Sequence, residues 1–254
     1  QHVPSIPRFI NLKGELFSLA FTYGLTAVIK LASSLILTRL LNPSAYGVVA
    51  ILFSVAFILE LVSDVGTTTL LVRHPRGSEP RFIHTIWTIR LLRSILNASV
   101  LFVLAPVIAE LYGTPLLTDA LRWYSVTFVL AGCESMAFIL AQRDQRSRIV
   151  NYAELATNAI MTLTVIALAT VYKDHYAFIY GILLQRLLMT VTSYFYYREV
   201  GVAIAFDRDA MVEQFKFARV VLPSSLLTIV LSQYDKIALL KLFDLSLLGI
   251  YGVA

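Results

Sequence analysis

The chain has 254 residues, of which 58% are hydrophobic and 15% charged, with a mean hydropathy of +0.75 and a formal net charge of +5. A soluble domain carries roughly 25% charged residues, so this composition excludes an ordinary water-facing surface. The basic residues cluster in short loops between long apolar blocks, which excludes a nucleic-acid-binding face, and a single cysteine, Cys133, excludes an internal disulfide framework.

Taken in chain order, residues 1–14 read as a cytoplasmic tail. Pro4 and Pro7 interrupt it, and it has neither the apolar core nor the cleavage pattern of a signal peptide. Seven apolar blocks then have the length, about 20 residues, that crosses a bilayer as helix: 15–38, 43–65, 83–109, 116–140, 152–172, 176–197 and 219–241, with an eighth starting at the end. They lack the two-residue alternation of barrel strands and are too long for them, so the predicted fold is an all-α polytopic bundle. Asn42-Pro43 and Thr114-Pro115 read as caps followed by proline at the first helical position. Residues 15–200 form a six-helix lobe in this reading. Residues 201–218 form a cytoplasmic linker, and 219–254 hold the seventh helix and the start of an incomplete second lobe. Within the linker, Asp207 is placed to cap a short amphipathic helix over 207–218. Met211, Phe215 and Ala218 would share its apolar face at the membrane interface.

Orientation follows from Lys and Arg. With the N-terminus cytoplasmic, twelve fall inside: Arg8, Lys13, Arg73, Arg76, Arg81, Arg143, Arg146, Arg148, Arg198, Arg208, Lys216 and Arg219. Only Arg39, Lys173 and Lys241 fall outside. The positive-inside rule therefore predicts a cytoplasmic N-terminus.

The stretch RLLNPSAYGVVA at 39–50 is echoed by KLFDLSLLGIYGVA at 241–254, with Arg39 against Lys241, Asn42 against Asp244 and Gly47 against Gly249. Six spans separate the two junctions, the pattern expected of a duplicated six-helix unit. Further segments are RLLNPSAYG after the first span, DVGTTTLLVR after the second and AQRDQRSR after the fourth. FDRDAMVEQFKFARVVLPSSLL leads into the seventh span, and SQYDK lies within it. By their order and spacing the chain resembles the polysaccharide (O-antigen and exopolysaccharide type) flippases of the MOP superfamily. That resemblance implies two six-helix lobes around a central cavity, working by alternating access in a bacterial inner membrane. The implied substrate is an undecaprenyl-pyrophosphate-linked oligosaccharide. The implied partners are membrane lipids, the missing C-terminal lobe or a second copy, and the polysaccharide polymerase and export machinery.

Charges at bilayer depth cost several kcal/mol unless paired or wet, so they are candidate functional residues. Arg186 stands among Leu183, Leu184, Leu187 and Leu188, and its guanidinium suits phosphate oxygens. Its structural alternative is a pair with Glu134 or another buried acid. Lys30, Arg122 and Lys236 are further candidates for a cationic cavity. Arg90 and Arg93, three residues apart, are candidates for a cytoplasmic entrance or for contact with lipid headgroups. Asp235 and Asp64 are candidate carboxylates for coupling to protons or sodium ions.

A membrane enzyme would need acids or metal ligands gathered in one aqueous site. His2, His74, His84 and His175 fall in different loops without ligand spacing, and there is no Walker or glycine-rich phosphate loop. The expectation is a secondary transporter without catalytic residues, metal or cofactor. Other exporters of the superfamily and a non-transporting membrane scaffold are the alternatives.

Overall fold

The computed structural model describes the backbone of residues 12–196 and 201–240. The side chains of residues 12, 13, 15, 16, 229, 230 and 232–240 are not among those described. The described residues form nine helices and no strand: α1 (Leu12–Leu40), α2 (Pro43–Val62), α3 (Thr67–Arg73), α4 (Pro80–Leu111), α5 (Leu116–Cys133), α6 (Ala137–Arg143), α7 (Ser147–Tyr172), α8 (Tyr176–Tyr196) and α9 (Arg208–Leu240). Five of them are long and apolar enough to cross a membrane: α1 from Phe17, α2, α4, α7 and α8. The protein is an all-helical, multi-pass membrane protein.

The fourth expected span is broken. Helices α5 and α6 pass as one span only as a pair bent by 56°. The break follows from Glu134, whose extended backbone (φ −59°, ψ 136°) ends α5. Ser135 Oγ then accepts from the Ala137 N–H at 3.1 Å and starts α6. A broken helix bares its last carbonyls, and here side chains from two neighbours supply donors. From α4, Arg90 donates to Ala131 O (2.9 Å) and Trp87 Nε1 to Glu134 O (3.1 Å). From α8, the Thr190 hydroxyl donates to Leu130 O (2.9 Å) and the Tyr194 hydroxyl to Cys133 O.

The interfacial helix expected over 207–218 and the span expected from 219 are one continuous helix, α9, which runs through Pro223. Asp207 does cap it, accepting from the Asp209 and Ala210 N–H groups at 2.9 and 3.4 Å. The face it buries is Ala210, Gln214 and Ala218, spaced four apart, whereas Phe215 is 60% exposed. That face packs on α2, α3 and α4 because Gln214 Nε2 donates to Val65 O and Phe217 and Val221 lie against Gly66. The two proline junctions start helices, but neither Asn42 nor Thr114 caps through its side chain. Their backbone carbonyls accept instead, from Ala45 and Leu117 at 3.0 Å each. The second copy of the 39–50 echo lies outside the described residues.

Packing runs α1 on α7, α7 on α8, α8 on α5 and α5 on α4, with α2 against α5, α4 and α9. The segments expected to be cytoplasmic meet at one end. The Arg148 guanidinium lies against Gly14, and Arg143 Nη1 donates to Leu71, Val72 and His74 carbonyls at 2.7–2.9 Å. At the same end Arg76 pairs with Asp207 (3.2 Å) and His74 with Glu213 (3.0 Å). The opposite end is closed by Leu37, Leu41, Val165, Ala169 and Ala177, with Tyr46 and Phe178 packed on them.

Candidate functional site

Three helices carry polar residues inside apolar spans. On α1 these are Thr26, Lys30 and Ser33; on α7, Glu154, Asn158 and Thr162; on α8, Gln185 and Arg186. The α1 and α7 sets each share a helix face because residues three or four apart lie one above another, whereas Gln185 and Arg186 are adjacent on α8 and point about 100° apart. The bundle turns all three sets onto one cavity of about 550 Å³, completed by Phe53 of α2 and Tyr124 of α5. The volume lies within the ordinary range of small-ligand pockets, about 300–1,000 Å³.

Lys30 lies ten residues from the Leu40 end of α1, and Arg186 ten residues from the Tyr176 end of α8. At 1.5 Å per residue each is about 15 Å along its helix, the middle of a hydrocarbon layer about 30 Å thick. Arg186 is half-buried and Lys30 exposed. Among the described residues neither charged head has a hydrogen-bond or ion-pair partner. Two unpaired cations at this depth demand water or an anion. The wall is braced beside Arg186, where Gln185 Nε2 donates to Asn158 Oδ1 at 3.0 Å.

The other sequence candidates go elsewhere. Arg122 is off the cavity: two residues from Tyr124 on α5, it points roughly 200° away, and its guanidinium stacks on Phe102 at 5.1 Å. Arg90 is paired with Glu134 at 2.9 Å, with side chains 15% and 12% exposed. Glu134 is thereby committed to Arg90 and not to Arg186. Arg93 donates to Ser63 O at 3.3 Å and lies 3.9 Å from Asp64. Asp64 is not on the cavity wall either, because it holds the turn between α2 and α3 by accepting from the Gly66 N–H at 2.9 Å. Asp235 and Lys236 sit on α9, with side chains outside the described residues. Glu154, Asn158 and Gln185 are cavity residues that charge-by-charge reading passed over; the four-residue repeat of polar positions along α7 is the signal that finds them.

An all-helical, membrane-crossing bundle with a cationic hollow at mid-depth defines a polytopic membrane protein built around an internal polar site. Residues 36–254 match the family model described as "Polysaccharide biosynthesis protein", and the chain belongs to this family. It is similar to the succinoglycan biosynthesis transport protein ExoT of Rhizobium meliloti (strain 1021), at 29% identity over 138 residues. That match covers 54% of this chain and 27% of the relative, so the chain aligns with about a quarter of that protein's length. No solved structure matches.

Proposed function

We propose that this chain is part of a transporter that moves a lipid-linked oligosaccharide, carried on a polyprenyl pyrophosphate, across the bacterial inner membrane by alternating access. The observation that carries the reading is the pair Lys30 and Arg186, on separate helices at one depth of one cavity, neither head in a direct ion pair among the described residues, with two positive charges there against the single carboxylate of Glu154. A pyrophosphate offers two anionic centres. Arg186 suits it as a planar fork of donors and Lys30 as a mobile point charge. The low-dielectric walls strengthen that attraction relative to water. In this reading no bond is made or broken. The cavity captures the headgroup, exposure alternates between the two faces of the membrane, and the anion leaves on the outer side. Membership of the polysaccharide biosynthesis family and the name of the Rhizobium relative favour a sugar-bearing cargo over a drug.

The test is complementation of a deletion strain with the full-length gene bearing Arg186→Ala, Lys30→Ala or both. Polymer export should fall at least tenfold in each single variant at wild-type expression. Arg186→Lys, which keeps charge but loses the fork, should recover part of it. Normal export by the double variant, at verified expression, would sink the reading.

A further inference from the structure

Glu154 has no part in the anion capture described above, yet it lines the same cavity as both cations. It lies on α7 seven residues from the Ser147 end, one turn below Asn158, whose bond to Gln185 holds this stripe against α8 next to Arg186. The charged and titratable groups facing the cavity with it are Lys30 from α1, Tyr124 from α5 and Arg186 from α8. At the cytoplasmic side of α7, Arg143 of α6 is spent on α3 carbonyls, and Glu134 is paired with Arg90. Among the described residues the Glu154 carboxylate has no hydrogen bond or ion pair; only its backbone carbonyl is engaged, by Thr157 and Asn158.

The wall therefore holds two fixed cations and one carboxylate. Ionised, Glu154 leaves the cavity with one net positive charge; protonated, with two. An anion entering this space is attracted by Lys30 and Arg186 and repelled by an ionised Glu154. A proton taken up from water onto a Glu154 carboxylate oxygen removes the repulsion, and coupling of this kind is reciprocal. We infer that Glu154 is the proton-binding residue of the cavity, taking up one proton when an anionic headgroup is captured and returning it to water when the headgroup leaves. The inference rests on the anion-capture reading and adds to it a residue and a proton whose binding is linked to that of the anion.

The experiment measures binding of undecaprenyl pyrophosphate to the full-length protein in nanodiscs from pH 5 to 9. Wild type is compared with Glu154→Gln, which mimics the protonated acid. The probe's own titration is common to both, so the ratio of their Kd values isolates Glu154. That ratio should approach one at acid pH and rise to on the order of tenfold in favour of Glu154→Gln at alkaline pH, the scale of one unit charge in a poorly screened site. Glu154→Asp should keep the rise. A ratio that stays flat across the range overturns the inference. Should Glu154→Gln fail to fold, calorimetric titration of wild type in buffers of different ionisation heat counts protons directly. At about pH 8 to 9, where the probe's pyrophosphate is already ionised, net uptake on binding supports the role of Glu154, and no uptake or net release overturns it. If wild type binds no probe at any pH, the anion-capture reading itself falls and the inference with it.

Discussion

Breaking the Arg90–Glu134 pair tests whether the bend between α5 and α6 is held by charge. Arg90 Nη2 serves two acceptors at 2.9 Å each, the Glu134 carboxylate and the Ala131 carbonyl. With side chains only 15% and 12% exposed, neither partner regains full hydration when the other is removed. Stranding one charge of a buried pair costs about 3–5 kcal/mol, so Arg90→Met and Glu134→Gln should each lose about that much stability. The double variant strands no charge. It keeps only the loss at the Ala131 carbonyl, about 1–3 kcal/mol for an unsatisfied buried acceptor. The assay is reversible denaturation in mixed micelles, followed by the fluorescence of Trp87, whose indole N–H bonds the Glu134 carbonyl at 3.1 Å. Neighbouring residues in one network should give strongly non-additive costs. A double variant as unstable as the sum of the two singles would refute the argument.

Three further perturbations follow from close contacts and from charge. Gly181→Ala would place a Cβ 2.3 Å from Val165 Cγ2 at the α7–α8 crossing; it should cost about 1–3 kcal/mol of overpacking, largely relieved by Val165→Ala in a thermal-shift assay. Gly66→Ala meets Phe217 at 2.7 Å and must hold φ at +69°, so it should cost about 1–3 kcal/mol and loosen α9 from α2 and α3, read as increased hydrogen exchange at residues 210–218. The Asp207 carboxyl is pushed up by burial, but the Asp209 and Ala210 N–H groups and Arg76 outweigh that and hold it below its ordinary value. A depressed carboxyl stabilises the fold above its ordinary titration range and loses that contribution as pH falls through the folded-state value. The protection factors of the Asp209 and Ala210 amides, corrected for the intrinsic pH dependence of exchange, should therefore fall as pH is lowered through the acidic range in wild type and not in Asp207→Asn.

The membrane-crossing helices were readable because apolar length alone decides them: α1, α2, α4, α7 and α8 fall within a few residues of the blocks drawn from the sequence. Lys30 and Arg186, picked out in sequence as charges among apolar neighbours, both line the cavity. The break at Glu134 was not readable, because it depends on donors 40 to 60 residues away in sequence: Trp87 and Arg90 on one side, Thr190 and Tyr194 on the other. Arg122 reads like Arg186 as a cavity cation in sequence, and Arg90 as a cation nearer the cytoplasmic end. Helix rotation decides their contacts, turning Arg122 toward Phe102 and Arg90 toward Glu134. The joining of the expected interfacial helix to the seventh span was hidden by the change at 218/219 from a charged amphipathic stretch to an apolar block, which separates two environments but not two helices, since α9 runs through it.

The stitched carbonyls of Leu130, Ala131, Cys133 and Glu134 also constrain biogenesis. Peptide groups left bare in hydrocarbon cost several kcal/mol each, and half of the donors that cover these belong to α8, made about sixty residues later. The kinked span should therefore settle in lipid only once Thr190 and Tyr194 have left the ribosome and docked. Until then the nascent chain needs the insertion machinery, or water, at its side.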